Sequence, residues 1–76
     1  MPGREIETFD EIKVGMLYDV EHDRHGRMTV LVKGTRWHDD DDEGVITGIV
    51  VDSGGGLDIG CKVILRWTLL GDIFEV

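Results

Sequence analysis

The sequence predicts an all-β fold in which five short strands form a small barrel or sandwich. β-Branched and aromatic residues recur in short segments whose side chains alternate between apolar and polar. Glycines, 11 of the 76 residues, lie between these segments, where turns favour them. A chain of this length makes one domain, residues 1–76, and buries little surface. Every apolar strand face is therefore expected to contribute to the core.

The first nine residues are predicted to be an N-terminal arm that leads to a short helical turn. Residues 1–5 are expected to be frayed, and the turn is expected at residues 10–13. Thr8 is followed three positions later by Glu11, which is the spacing of a capping box. Gly15 would end this segment and deliver the chain to the first long strand.

Residues 16–22 and 27–33 are predicted to form a hairpin. Apolar and polar side chains alternate along both segments. The side chains expected to face the core are Tyr18, Val20, Met28, Val30 and Val32. Residues 23–26 between the strands form a turn that ends in glycine, for which a positive φ costs least.

Residues 34–43 are predicted to form a long loop. Its second part is a run of five acids, and blocks of like charge stay in solvent. Its first part carries Trp37 between two polar residues. Two interpretations of Trp37 stay open: it folds back to cover an open end of the barrel, or it is exposed at an interface.

The segment 44–53 is predicted to be the central strand. It is the densest β-branched run of the chain, and glycines close it. Its apolar residues fall on two faces, Val45, Ile49 and Val51 on one and Ile46 and Val50 on the other. Such a strand is buried on both faces or bends from one sheet to another. Gly48 in its middle favours a bulge or a bend.

Two further strands are predicted after a glycine-rich loop at residues 54–60. They span residues 62–67 and 72–76, with a short turn between them. The residues expected to face the core are Val63, Leu65 and Trp67 in the first and Phe74 and Val76 in the second.

This order of elements resembles that of the SH3-like small β-barrels. The resemblance covers roughly residues 10–76. It is carried by Ile12, Lys13, Val14 and Gly15 leading into Tyr18 and Val20, by the strand segment 47–51, and by the four-residue link before the last strand. It implies a five-stranded SH3-like barrel. The short, acidic chain without enzyme motifs is also similar in texture to small orphan proteins of bacteriophages, so we expect a phage-encoded protein.

The net charge of −8 is unevenly distributed. Residues 1–38 hold six Lys and Arg against seven Asp and Glu, and residues 39–76 hold two against nine. Because no basic patch stands out, direct nucleic acid binding is not expected. The single cysteine and the polar N-terminus lead us to expect a cytoplasmic protein, in the host cytoplasm or a virion, without membrane attachment.

Neither a cofactor nor enzymatic activity is expected, because no ligand or catalytic set is complete. His22 and His25 could ligate a metal, but zinc needs about four ligands, which favours a solvated turn. Adjacent aspartates point in opposite directions, which disfavours a calcium site at residues 39–43. The loop 54–60 lacks the lysine and the helix of a phosphate-binding loop. Cys61 is interpreted as a half-buried apolar residue.

The function predicted from these features is a small protein-interaction module that binds a host or virion protein with a basic surface. The candidate partner-binding residues are Arg36, Trp37, His38, Asp39, Asp40, Asp41, Asp42 and Glu43. The alternative is a DNA mimic, whose negative surface occupies the site of a nucleic-acid-binding protein. Mimicry needs carboxylates spread at phosphate-like spacing, whereas here they cluster in one segment.

Overall fold

The computed structural model describes residues 3–54 and 58–76. Five antiparallel strands form a single sheet in the order β4-β3-β2-β1-β5. The elements in chain order are a 3-10 turn at Phe9–Glu11, β1 at Leu17–His22, β2 at Gly26–His38, β3 at Glu43–Ser53, β4 at Lys62–Arg66, a second 3-10 turn at Trp67–Leu69, and β5 at Leu70–Glu75. The predicted all-β class with five strands is confirmed. Within the described part of the chain, no helix has the length and apolar character needed to cross a membrane.

The core is one cluster on one face of this sheet. It contains residues from all five strands together with Ile6 and Ile12 from the N-terminal segment. Since helices are absent from the described ranges apart from the two 3-10 turns, the sheet can bury this face only by curling around it. The described ladders do not join β4 to β5, so the sheet has open edges and closure into a barrel is not observed.

The hairpin of β1 and β2 follows the prediction closely. Tyr18 lies opposite Val30, and Val20 lies opposite Met28. All four side chains are buried, and Gly26 ends the turn with a φ of 72°. The Tyr18 hydroxyl also accepts a hydrogen bond from the backbone N–H of Lys13, at 2.9 Å. The hairpin therefore fixes the preceding segment as well as half of the core.

The predicted loop at residues 34–43 is wrong over most of its length. β2 continues to His38 and pairs with the start of β3, so that Trp37 lies opposite Gly44 and Arg36 opposite Val45. Only residues 39–42 form the turn. Lys33 is an extra residue in β2, a bulge that shifts the alternation of all later side chains. This shift explains why the pattern of the segment did not indicate a strand.

β3 has a neighbour on each side, as predicted for a central strand, but only one of its faces is buried. Ile46, Gly48 and Val50 lie in the interior, while Thr47 and Val51 are exposed. Gly48 does not itself form a bulge. It lies opposite the bulged part of β2, and a Cβ at this position would be 2.5 Å from Val30 Cγ1 and 2.7 Å from the Leu31 carbonyl oxygen. Gly48 is needed for this close approach of the two strands.

The N-terminal arm is ordered by β5, which corrects the expectation of a frayed end for residues 3–5. The backbone N–H of Gly3 donates to the Glu75 carbonyl oxygen at 2.9 Å, and that of Ile6 donates to the Ile73 carbonyl oxygen at 2.8 Å. Arg4 forms ion pairs with Glu75 and Glu11. The expected capping box between Thr8 and Glu11 is present. The arm therefore covers the free edge of β5.

The last strand begins earlier than predicted and points different residues inward. Ile73 is buried, Phe74 is half-buried and Val76 is 66% exposed. Trp67 lies in the 3-10 turn and packs half-buried against the core. The prediction placed Phe74 and Val76 in the core, whereas the pairing with β1 sets Ile73 opposite the buried Val20 and so turns Ile73 inward.

The close approach at Gly48 predicts a strongly position-dependent effect of a valine. Gly48→Val should lower the free energy of unfolding by about 1–3 kcal/mol, because the new side chain must push β2 away. Gly34→Val is the matched control, since a Cβ at Gly34 meets nothing within 4 Å and valine suits a strand. Urea denaturation measures both. Equal stabilities of the two variants would contradict the role assigned to Gly48.

Candidate functional site

The eight residues predicted to bind a partner lie at one end of the sheet, where β2 turns into β3. Arg36, Trp37 and His38 end β2, and Glu43 begins β3. Residues 39–42 connect them as an exposed turn, within which Asp42 has a φ of 50°. The structure therefore keeps these residues together, on a rigid hairpin instead of a loop.

Trp37 belongs to an aromatic cluster, formed with Phe9 and Trp67. The Phe9 ring lies between the two tryptophans, with its centroid 5.7 Å from that of Trp37 and 5.8 Å from that of Trp67. Gly44 makes this arrangement possible, because a Cβ there would lie 2.5 Å from the Phe9 ring. Three of the five aromatic residues of the chain meet here. They come from the N-terminal turn, β2 and the second 3-10 turn.

Part of the aromatic cluster is exposed to solvent. Trp37 is 46% exposed, although its ring contacts Phe9. It borders two shallow depressions, one of about 510 Å³ and one of about 260 Å³. The residues lining the first are Glu7, Thr8, Phe9, Asp10, Trp37 and Trp67, and those lining the second are Arg36, Trp37, His38, Asp39 and Asp40. Each depression thus has two carboxylates on its rim.

Glu43, the last of the predicted partner-binding residues, is buried and has a structural role. It is only 8% exposed. Its carboxylate accepts hydrogen bonds from the Thr68 backbone N–H at 3.0 Å and from the Thr68 hydroxyl at 2.8 Å. These bonds hold the pKa of Glu43 below its ordinary value. The carboxylate ties the start of β3 to the 3-10 turn that carries Trp67.

His22 is buried, which corrects the interpretation of His22 and His25 as a solvated turn. His22 is 7% exposed, and its Nδ1 accepts hydrogen bonds from the backbone N–H groups of Arg24 at 3.0 Å and His25 at 3.3 Å. Burial lowers the pKa of His22, and the nearby His25, with a ring centroid at 4.7 Å, lowers it further. His22 therefore closes the β1–β2 turn in its neutral form.

The remaining sequence candidates are Cys61, the glycine-rich loop and a possible metal site. Cys61 is free, half-buried and packed against the core, as interpreted from the sequence. Part of the glycine-rich loop, residues 55–57, lies outside the described residues. Among residues 3–54 and 58–76, no group of three or more His, Cys, Asp and Glu side chains could hold a metal ion.

Comparisons with known proteins returned no match: no family model matches the sequence, and no curated protein or solved structure matches the chain.

Sequence reasoning did not assign Phe9 and Trp67 to the site. Phe9 falls within the predicted N-terminal arm, and Trp67 is predicted to face the core. Their contact with Trp37 joins segments that are far apart along the chain. The available signals were the scarcity of aromatic residues and a glycine at position 44, and neither identifies a contact without the strand pairing.

The neutral His22 predicts a pH dependence of stability. The ordinary pKa of 6.5 applies to the unfolded chain, and the pKa of the folded state is lower. The unfolded state therefore binds the proton first as pH falls. The stabilising contribution of neutral His22 is complete above pH 6.5 and is lost as pH falls from 6.5 through the lowered pKa. Thermal unfolding between about pH 8 and about pH 5 measures this loss.

Two variants separate His22 from the other titrating groups. His22→Asn retains an acceptor for the turn amides but cannot be protonated, so the decrease in melting temperature below pH 6.5 should become smaller. His38 lies at the end of β2 that is remote from the β1–β2 turn, so His38→Ala should leave this decrease in melting temperature unchanged. An unaltered pH profile in His22→Asn would mean that burial of His22 does not control this transition.

Proposed function

We propose that this protein is a small non-enzymatic interaction module that binds a basic segment of a protein partner at the aromatic cluster. The observation that carries this proposal is the half-exposed Trp37 ring, which is held against Phe9 and lies between two depressions with acidic rims. Exposed aromatic residues on a rigid support are the usual anchors of protein interfaces.

The charges around Trp37 favour a cationic segment. Glu7 and Asp10 line one depression and Asp39 and Asp40 the other, against one cation, Arg36. A lysine or arginine of the partner can lie over the indole face and pair with a carboxylate at the same time. The acidic turn would attract such a segment over a distance, and Trp37 would retain it.

The packing of Trp37 combines the two roles left open by the sequence. Contact with Phe9 supports a covering role, whereas the exposed remainder of the ring supports an interface. The expected cost of truncation lies between that of a buried tryptophan and that of an exposed one.

Trp37→Ala is expected to lower the free energy of unfolding by about 1–2 kcal/mol. Full truncation of a buried tryptophan costs about 3–5 kcal/mol, and here roughly half of the ring is already in water. Chemical denaturation monitored by circular dichroism measures the change. A loss of about 3 kcal/mol or more would assign Trp37 to the core and remove it as a binding residue.

A binding measurement tests the proposed function with a defined probe. The probe is a capped peptide of about seven residues that alternates lysine and valine, an extended form that can reach both depressions. Its affinity is expected to fall about tenfold or more in Trp37→Ala. Ile64→Ala is the control, because Ile64 is 72% exposed on β4 and lines neither depression, so the affinity should not change.

Neutralising the acidic turn at residues 39–42 tests whether its charge controls the association rate while Trp37 controls the dissociation rate. Replacing residues 39–42 by asparagine should slow association and reduce its dependence on salt, with a smaller effect on dissociation. Full retention of peptide affinity in Trp37→Ala, together with its loss in the asparagine variant, would contradict the proposal. That result would favour the DNA mimic, in which charge alone binds the partner.

A further inference from the structure

β2 has an open edge beyond the pairing of Leu31 with Leu17, the first residue of β1. On the β1 side, the last backbone hydrogen bonds of β2 are made by Val32. Its N–H donates to the Met16 carbonyl oxygen at 3.0 Å, and its carbonyl oxygen accepts from the Gly15 N–H at 2.8 Å. From there to His38, no described residue pairs with β2 on this side.

The register identifies which backbone groups of β2 face this edge. Val50 bonds toward β4, because its N–H donates to the Cys61 carbonyl oxygen and its carbonyl oxygen accepts from the Gly60 N–H. Since backbone groups alternate along an antiparallel strand, Thr47 and Val45 bond in the opposite direction, toward β2. No bulge interrupts β3 between these residues.

The residues of β2 opposite them follow from the same pairing. Thr47 lies opposite Gly34, and Val45 lies opposite Arg36. The backbone groups of Gly34 and Arg36 therefore bond to β3, and those of Thr35 and Trp37 point to the open edge. Both residues are exposed, and no described backbone group outside the strands bonds to either.

We propose that the partner segment binds here as an added β-strand, hydrogen-bonded to the backbone of Thr35 and Trp37. This inference rests on the proposed function and specifies how the basic segment is held. Two residues with open N–H and C=O groups offer at most four hydrogen bonds, so the edge alone gives weak binding. The Trp37 side chain, next to the same edge, supplies the apolar anchor.

The acidic residues around the open edge of β2 favour a basic protein segment as the added strand. Asp39–Asp42 follow the edge directly, and Asp10 lines the depression beside Trp37. The cations of the segment, Lys33 and Arg36, are outnumbered by these acids. A second copy of the chain would bring a net charge of −8 to an already negative surface. The N-terminal arm of the same chain is already paired with β5.

Amide hydrogen exchange by NMR tests the inference in two stages. In the free protein, the Arg36 amide should be protected, whereas the Thr35 and Trp37 amides should exchange rapidly. On saturation with the lysine–valine peptide, exchange of the Thr35 and Trp37 amides is expected to slow about tenfold or more, with little change at Arg36. Protection of Thr35 and Trp37 in the free protein at high concentration would show a second copy on the edge and overturn the proposal.

A chemically matched peptide separates strand addition from surface binding. The second probe has the same sequence, but alternate backbone nitrogens are methylated, in two versions that block one or the other edge of the added strand. One version should bind about tenfold or more weakly than the parent, and the other should bind like the parent. Equal affinity of both versions, with Trp37 still required, would overturn strand addition and leave the proposed function intact. Failure of the parent peptide to bind in a Trp37-dependent way would overturn both.

Discussion

The fold depends on one constraint: a single sheet must bury its apolar face, and the residues that the structure describes contain no helix longer than a 3-10 turn to cover it. The core therefore forms inside the curl of the sheet, with residues from all five strands. Curling brings backbones closer than ordinary side chains allow. Gly48 permits this approach between β2 and β3, and the extra residues Lys33 and Val51 supply the bulges that bend the long hairpin. The β2–β3 pairing is also the longest of the described pairings in the sheet.

The aromatic cluster lies at the end of the sheet where β2 turns into β3. Phe9 reaches it because the N-terminal turn is fixed by the capping box and by the Tyr18 hydroxyl. Gly44 leaves space for the Phe9 ring, and the bonds from Thr68 to Glu43 hold the turn that carries Trp67. These contacts hold Phe9 and Trp67 in place without Trp37. Part of the Trp37 side chain can therefore stay in water while the fold is kept. Core packing and the candidate binding surface are therefore continuous.

The sequence predicts those parts of the fold that short-range alternation determines. The β1–β2 hairpin, the core side of β4 and the capping box all follow from residues within a few positions of each other. The extension of β2 to His38 does not, because the bulge at Lys33 breaks the alternation and only pairing with β3 makes the segment a strand. The inward position of Ile73 likewise depends on its pairing with Val20 in β1. The aromatic cluster joins three distant segments, so the sequence indicated Trp37 alone, and it assigned Glu43 to solvent because its partner Thr68 is far along the chain.

The three edges of the sheet differ in how they are protected, and this difference bears on the binding site. The edge of β5 is occupied by the N-terminal arm. No described residue pairs with the outer edge of β4, and Lys62 and Arg66 flank its exposed Ile64. An antiparallel pair of β4 strands centred on Ile64 would set Lys62 of one copy against Arg66 of the other, which disfavours self-association. The extension of β2 is short and ends in an acidic turn instead. The acidic turn disfavours acidic strands and favours basic ones there, which is consistent with the proposed basic partner.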